Sequence, residues 1–251
     1  MILILVVPAI VRCDRHLEMM RVQSLLRSRL RGHDKAGCFK IHSCVVFDHV
    51  DEEWLDAMVD LDFSLKLFGR NLYRNDPVTT GIRRPFQSAL RTIAELFGST
   101  RNIFVLRVIQ DVVIDDVPAL LAMLINIASN SKDFVAGQLD TCVDIATFLQ
   151  DLQIPATPPY TYIQGAVMFA PLHVWLRDYT RLPPAITHFC DDSVMSQMVT
   201  HGGGEMIRMT TCWRHRHHCP CEESRASYDA HCQELQAMSQ RTIDLEAGSI
   251  A

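Results

Sequence analysis

The stretch ILILVVPAIV, residues 2–11, is followed almost at once by DRHLEMMRVQSLLRSRL, residues 14–30. Apolar side chains fill nearly every place in the first. A continuous rather than alternating pattern predicts a strand buried on both faces. In the second, Leu17, Met20, Val22, Leu25, Leu26 and Leu30 recur at helical spacing, with arginines on the other face. Asp14 is the expected N-cap. A doubly buried strand running into an amphipathic helix is the first half of a β-α-β unit. It points to an α/β fold with a largely parallel sheet.

The same alternation continues outward. FKIHSCVVFD (39–48) reads as a second strand ending at Asp48, DEEWLDAMVDL (51–61) as a helix, and FSLKLFG (63–69) as a third strand. Residues 69–84 form a long polar loop. PFQSALRTIAELFGST (85–100) is a helix with Pro85 in its first turn and Gly98 as its stop. RNIFVLRVIQDVVID (101–115) reads as one fourth strand, and DVPALLAMLINIASN (116–130) as the next helix. DFVAGQL and YIQGAVMFAP are further strands, PLHVWLRDYTRL is a helix, and DDSVMSQMVTHGGG is a short helix that opens on two aspartates. Beyond residue 210 the pattern is lost. The expected division is therefore a globular domain over 1–210 and a Cys/His-rich tail over 211–251, partly helical or disordered.

Composition bounds the function. With 251 residues and 48% hydrophobic content, the chain can bury one substantial core. Its 24 basic and 29 acidic residues give a formal charge of -5, which supplies no footprint for nucleic acid. MILILVVPAIV lacks a basic flank, is interrupted by Pro8, and is too short to span a bilayer. No other segment is long and apolar enough to span. Cys13, Cys38, Cys44, Cys142 and Cys190 are scattered, as free thiols in a reducing compartment would be. We therefore expect a soluble, cytoplasmic protein.

In open α/β sheets ligands bind beyond the carboxyl ends of the strands. Asp48, Asp111 and the pair Asp191/Asp192 fall at such places. Asp48 also suits a turn or helix cap beside Asp51, and Asp115 and Asp116 suit the cap of the following helix. Asp111 fits neither, because Val112, Val113 and Ile114 follow it. An unpaired carboxylate in so apolar a run costs several kcal/mol, roughly. A hard divalent cation such as magnesium or manganese would satisfy it. The first strand is followed by neither a G-x-G-x-x-G loop nor a Walker lysine, against a dinucleotide-binding oxidoreductase or a P-loop nucleotidase. HGGG (201–204) has no G-x-S-x-G nucleophile elbow to serve.

Taken together, four segments resemble the inverting nucleotide-sugar glycosyltransferases of the GT-A fold, family 2-like. ILILVVPAIVRCDRHLEMMRVQSLL is similar to the family's first strand, its Pro-containing loop and its first helix. CVVFDHVDEEW (44–54) is similar to the second strand, whose terminal aspartate contacts the nucleotide base. Residues 85–124 are similar to the helix, metal-motif strand and following helix, and HFCDDSVMSQMVTHGG (188–203) to the acidic pair that supplies the catalytic base. The resemblance spans about residues 1–206. It departs at the metal motif: Ile109-Gln110-Asp111 stands in place of Asp-x-Asp, and only the second acid is kept.

The resemblance implies a GT-A-like α/β sheet flanked by helices, and a hexosyltransferase-like activity. Manganese or magnesium on Asp111 would bridge the diphosphate of a nucleoside-diphosphate sugar, most naturally a UDP-sugar. Pro8, Asp48, Gln110, Arg84 and Arg107 would line the donor site, with Arg83 a further phosphate candidate, since arginine forks match phosphate oxygens. Asp192, or Asp191, would take the proton from the hydroxyl of a glycan or other acceptor. YIQGAVMFAP would face the acceptor, with Gly165 allowing close approach of a sugar and Tyr162 or Trp175 stacking on one. A non-catalytic binding protein that keeps the fold is the alternative reading, and the missing acid is its argument.

In the tail, CWRHRHHCPC (212–221) gathers thiols and imidazoles, which are zinc ligands in a spacing that regular zinc sites do not use. A structural zinc, an adventitious metal-binding tail, and a late histidine (His215, His217 or His218) serving the metal or phosphates all remain open there.

Overall fold

The computed structural model describes residues 1–11, 13–32, 38–50, 52–68, 83–98, 101–142, 145–156, 158–182 and 191–215; Asp48, Arg84 and His215 are placed by their backbone alone. Of the expected loop at 69–84, residues 69–82 lie outside these, as does the tail from residue 216 with His217, His218, Cys219 and Cys221, while residues 83 and 84 open a helix instead.

The main sheet holds seven strands: β1 (Ile2–Val11), β2 (Lys40–Val50), β3 (Leu65–Phe68), β4 (Ile103–Val108), β6 (Phe134–Cys142), β7 (Tyr160–Pro171) and β8 (Glu205–Arg208). Their order is β3-β2-β1-β4-β7-β6-β8. All neighbours pair parallel except those of β7, which runs against both β4 and β6. A separate two-stranded sheet joins β5 (Val112–Ile114) to β9 (Trp213–His215). The GT-A-like expectation of a mostly parallel sheet flanked by helices agrees with this architecture.

The first strand behaves as its pattern predicts. Leu3, Leu5, Val7, Ala9 and Val11 enter one core and Ile4 and Val6 the other, the period-two division of a strand covered on both faces. The first core is closed by α1 (Asp14–Gly32), α2 (Leu55–Val59) and α4 (Val117–Asn130), through Leu17, Met20, Met58, Leu120 and Leu124. The second is closed by α3 (Arg83–Phe97), α6 (Leu172–Arg177) and α7 (Asp191–His201), through Phe86, Leu90, Trp175, Val194 and Met195. A short α5 (Ala146–Asp151), which the sequence reading lacked, adds Phe148 and Leu149 to this side.

Local signals explain the helix ends. Asp116 caps α4, its Oδ1 accepting from the Ala119 N–H at 2.9 Å. Gly98 stops α3 at φ +80°, where a side chain would be strained. Two expectations need correction. Asp14 is not the cap of α1: the helix starts at Asp14 itself, and the Cys13 carbonyl accepts from the Leu17 N–H. The resemblance puts Pro8 in a loop after the first strand, whereas the reading of residues 2–11 as one strand holds. Pro8 lies inside β1, paired with Val46, and is tolerated because β4 runs alongside only as far as Val6. Among the described residues no helix is long and apolar enough to cross a membrane.

Candidate functional site

The segment 101–115 is not one strand. β4 stops at Val108, residues 109–111 turn, and β5 leaves for the second sheet. The Val112 N–H closes the turn on the Ile109 carbonyl at 3.2 Å, and the Ile109 N–H reaches the Ala166 carbonyl of β7 at 3.1 Å. Asp111 therefore sits half-buried on a turn at the sheet's carboxyl edge, not within a strand. The apolar run continues through the break because both halves feed the same core, β4 through Phe104, Leu106 and Val108 and β5 through Val112 and Ile114.

Two elements hold this turn in place. Gln23 of α1, 0% exposed, donates from Nε2 to the Gln110 carbonyl at 3.1 Å and to the Val112 carbonyl at 2.6 Å. On the other side β9 pairs with β5, and the register sets His215 opposite Val112, the residue after Asp111. Residues 211–215, the first of the expected tail, are thus joined to the fold. The Cys212 carbonyl accepts from the Asp115 N–H, and Trp213 is buried in the core.

Asp48 occupies the bulge of β2: Ala9 pairs with Phe47 and Ile10 with His49, so Asp48 is skipped. A bulge there bends the strand as it leaves the sheet. Arg84 lies in the first turn of α3.

The acidic pair resolves into two environments. Along β4, Ile103 and Val105 face the core of α3, α6 and α7, and Arg107 continues that series. A cation at a core position needs a partner, and Asp191 supplies it. Arg107 Nη1 lies 2.8 Å from Asp191 Oδ2, with the two side chains 2% and 1% exposed. The Tyr179 hydroxyl donates to the same oxygen. The guanidinium also stands 5.2 Å from the centre of the Phe86 ring and 5.8 Å from that of Tyr179. Burial alone would lower the affinity of Arg107 for its proton; Asp191, Tyr179 and Asp192 outweigh it and hold the guanidinium charged. Arg107 is therefore spent within the protein, which corrects its expected place among the phosphate contacts.

Asp192 is held differently. Its Oδ2 accepts from the Gly165 N–H at 2.6 Å and its Oδ1 from the Ser193 N–H at 2.7 Å and the Ser193 hydroxyl at 3.3 Å. Burial, then the charge of Asp191, push its pKa up to about 7, against the opposing pull of Arg107 and the two backbone N–H groups. Ser196 braces the same turn, donating to the Asp192 carbonyl at 2.7 Å and accepting from the Ile163 N–H at 3.0 Å. Strand β7 links the two halves of the site: Ala166 receives the turn of Asp111, and Gly165, its neighbour, receives Asp192.

Gly165 does permit a close approach, but the group that approaches is Asp192. A Cβ at this position would lie 2.9 Å from Oδ2. Trp175 is fully buried, with its indole N–H on the Val105 carbonyl at 3.3 Å, and has no face for a sugar. Tyr162 remains half-buried. Burial first, then Asp192 and Asp140, hold its phenol proton more tightly than usual. Among the described residues no three His, Cys, Asp or Glu side chains gather as a ready metal cage. Gln23, Tyr179 and Ser193 were not foreseen as parts of the site. Only Gln23 carried a hint, as a polar residue at position i+3 from Met20 on the apolar face of α1.

No protein-family model and no curated protein matches the sequence. Solved structures similar in chain path include the galactosyltransferase LgtC in complex with donor and acceptor sugar analogues, at 14% identity and a TM-score of 0.44, covering 81% of this chain and 72% of that one. Another is a 4-diphosphocytidyl-2C-methyl-D-erythritol synthase, at 11% identity and a TM-score of 0.49, covering 90% and 97%. A third is a Bacillus anthracis protein assigned as a glucose-1-phosphate thymidylyltransferase, at 11% identity and a TM-score of 0.46, covering 91% and 95%. These are likenesses of chain path, and the functional reading rests on this chain's own residues.

Proposed function

We propose that this protein is a glycosyltransferase that moves a sugar from a nucleoside-diphosphate sugar, in the first instance a UDP-sugar, to an acceptor hydroxyl, with inversion and with a divalent metal. The observation that carries the reading is Asp192. It is a buried carboxyl with its pKa lifted to about 7, one residue of β7 away from the strand contact that sets the Asp111 turn. A general base works best with a pKa near the operating pH. Asp191, tied up by Arg107 and Tyr179, serves to position its neighbour.

In this reading the Asp192 carboxylate takes the proton of the acceptor hydroxyl as that oxygen attacks the anomeric carbon. The bond from that carbon to the diphosphate oxygen breaks, and the nucleoside diphosphate departs with the electron pair. A single displacement with a single base inverts the configuration. The donor set suits manganese or magnesium. Asp111 offers a carboxylate on the turn, and His215 stands on the strand paired beside it. When bound there, the ion supplies positive charge to the departing diphosphate. Pro8, Asp48, Arg84 and Gln110 remain assigned to the donor side of this reading.

Thermal melting with UDP and manganese tests it, because a ligand of the native state must raise the melting temperature. Asp111→Asn should abolish the manganese-dependent part. Asp192→Asn should keep donor binding and lose transfer, and a screen for donor hydrolysis identifies the sugar. The second reading, a binding protein that keeps the fold, draws on Ile109 standing where the first metal acid is expected. If no nucleoside diphosphate shifts the melting temperature, that second reading replaces the first.

A further inference from the structure

We infer that Gln23, on helix α1, is a positioning residue for the Asp111 turn, and that it sets the affinity for the metal-nucleotide pair. The inference rests on the proposed glycosyltransferase reading. Gln23 is 0% exposed, in the middle of a helix that buries Leu17, Met19, Met20, Leu26 and Leu30, and it is more deeply buried than the helix's other inward polar residues, His16 and Arg27. A buried side-chain amide is retained at such a place only if its hydrogen bonds matter. Its two acceptors are the carbonyls of Gln110 and Val112, which flank Asp111 on either side. Two carbonyl oxygens can be met only by the amide nitrogen, which fixes the amide's orientation. Its Oε1 has no hydrogen-bond partner among the described residues. The residue is therefore present for its donors, and both donors act on this one turn.

Gln23 adds to the Ile109 N–H bond to the Ala166 carbonyl and to the pairing of β5 with β9, and it is the helix side chain whose donors meet the carbonyls on both sides of Asp111. The turn carries no glycine or proline, and its own closing bond is the 3.2 Å contact from Val112 to Ile109. Further along, Arg29 of α1 donates to the Ile114 carbonyl at 3.2 Å and to that of Asp115 at 3.4 Å, a second tie from α1 to β5 and its end. Arg29 acts beyond the turn, whereas Gln23 acts on it. A carboxylate that binds an ion must be held in place by partners behind it, and losing such partners costs about 10–100-fold in metal affinity.

The test compares the full-length protein with Gln23→Met, which keeps the size and removes both donors, and with Arg29→Met as a control for lost stability. Manganese is titrated in the presence of saturating UDP, and UDP is titrated alone. The expected result is at least a tenfold weaker manganese dissociation constant for Gln23→Met, with UDP affinity in the absence of metal changed less than twofold. Arg29→Met should lower the melting temperature and leave the manganese constant within twofold of wild type. Gln23→Asn, which keeps an amide but withdraws it by one methylene, serves if the methionine variant does not fold, and should also weaken manganese by several fold. Wild-type manganese affinity in a folded Gln23 variant overturns this inference alone. No manganese-dependent gain in the wild-type protein overturns the functional reading and this inference together.

Discussion

Replacing Gly165 by alanine should separate catalysis from folding. The backbone at Gly165 lies outside the left-handed region, so alanine meets no conformational penalty there. In a strand interior, alanine should in fact stabilise relative to glycine by about 0.5–1 kcal/mol. The obstacle is Asp192. The new Cβ would stand 2.9 Å from Oδ2 and 3.3 Å from the Asp192 Cβ and Cγ, and ordinary contact begins at 3.4 Å. The carboxylate must retreat by about 0.5 Å, and the 2.6 Å bond from the Gly165 N–H lengthens with it. A misplacement of 1 Å at a reacting group costs about 10²-fold, so half that displacement should cost about tenfold in kcat. Loosening the N–H bond also removes one of the groups that pull the Asp192 pKa down, so the midpoint of the pH-rate profile should move above about 7. The assay is transfer at saturating donor and acceptor across pH 6–9, beside urea unfolding and the UDP-manganese melting shift. The melting shift should be unchanged, and urea unfolding should move by no more than about 1 kcal/mol, the strand gain being offset by the lengthened Gly165–Asp192 bond. A Gly165→Ala protein with wild-type kcat and pH midpoint would refute the placing of the base against this glycine.

Three further outcomes follow from the same geometry. Transfer should fall tenfold per pH unit below about 7, because Asp192 accepts a proton only as the carboxylate, and a folded pKa raised above the ordinary 3.8 moves that loss toward neutral pH; a kcat flat from pH 5 to 8 would remove Asp192 as the base. Arg107→Met should cost about 3–5 kcal/mol in urea unfolding, since it leaves Asp191 buried and unpaired, and adding Asp191→Leu should recover most of that; a single variant as stable as wild type would show the pair to be dispensable. Asp116→Ala should cost about 1 kcal/mol by loss of the α4 cap, with the UDP-manganese melting shift intact.

Much of the fold was legible because its strands are buried on both faces and its helices carry one apolar stripe each. ILILVVPAIV could scarcely be anything but a central strand. What escaped was decided by distant partners. The run from Ile103 to Ile114 shows no glycine, proline or asparagine where it breaks, so its division into two strands is visible only once Gln23 and β9 are in place. Strands β8 and β9 are too short and too polar to announce themselves; Glu205–Arg208 and Trp213–His215 are strands because β6 and β5 offer edges. The two acids at 191 and 192 look equivalent in the sequence. Arg107, 84 residues earlier, makes them different by claiming one of them. The need for glycine at 165 was legible, and its partner was not.

Ile109, which stands where the resemblance expects a first metal acid, has a packing role of its own. Ile109 packs against the core formed by β1, α1 and α4. A carboxylate in its place would lie against apolar side chains and, unless compensated, cost about 1–3 kcal/mol or more. In this chain position 109 therefore serves packing. The metal duty that the proposed reading requires must fall on Asp111 together with whatever the paired strand provides. His215 is the residue that the register of β5 and β9 brings opposite the turn's end. The proposed reading therefore predicts a contribution from β9 to metal binding. A chain ending before residue 211 should then keep the seven-stranded sheet and lose the manganese-dependent part of UDP binding. If that truncation binds manganese and UDP as the full chain does, Asp111 needs no partner from β9.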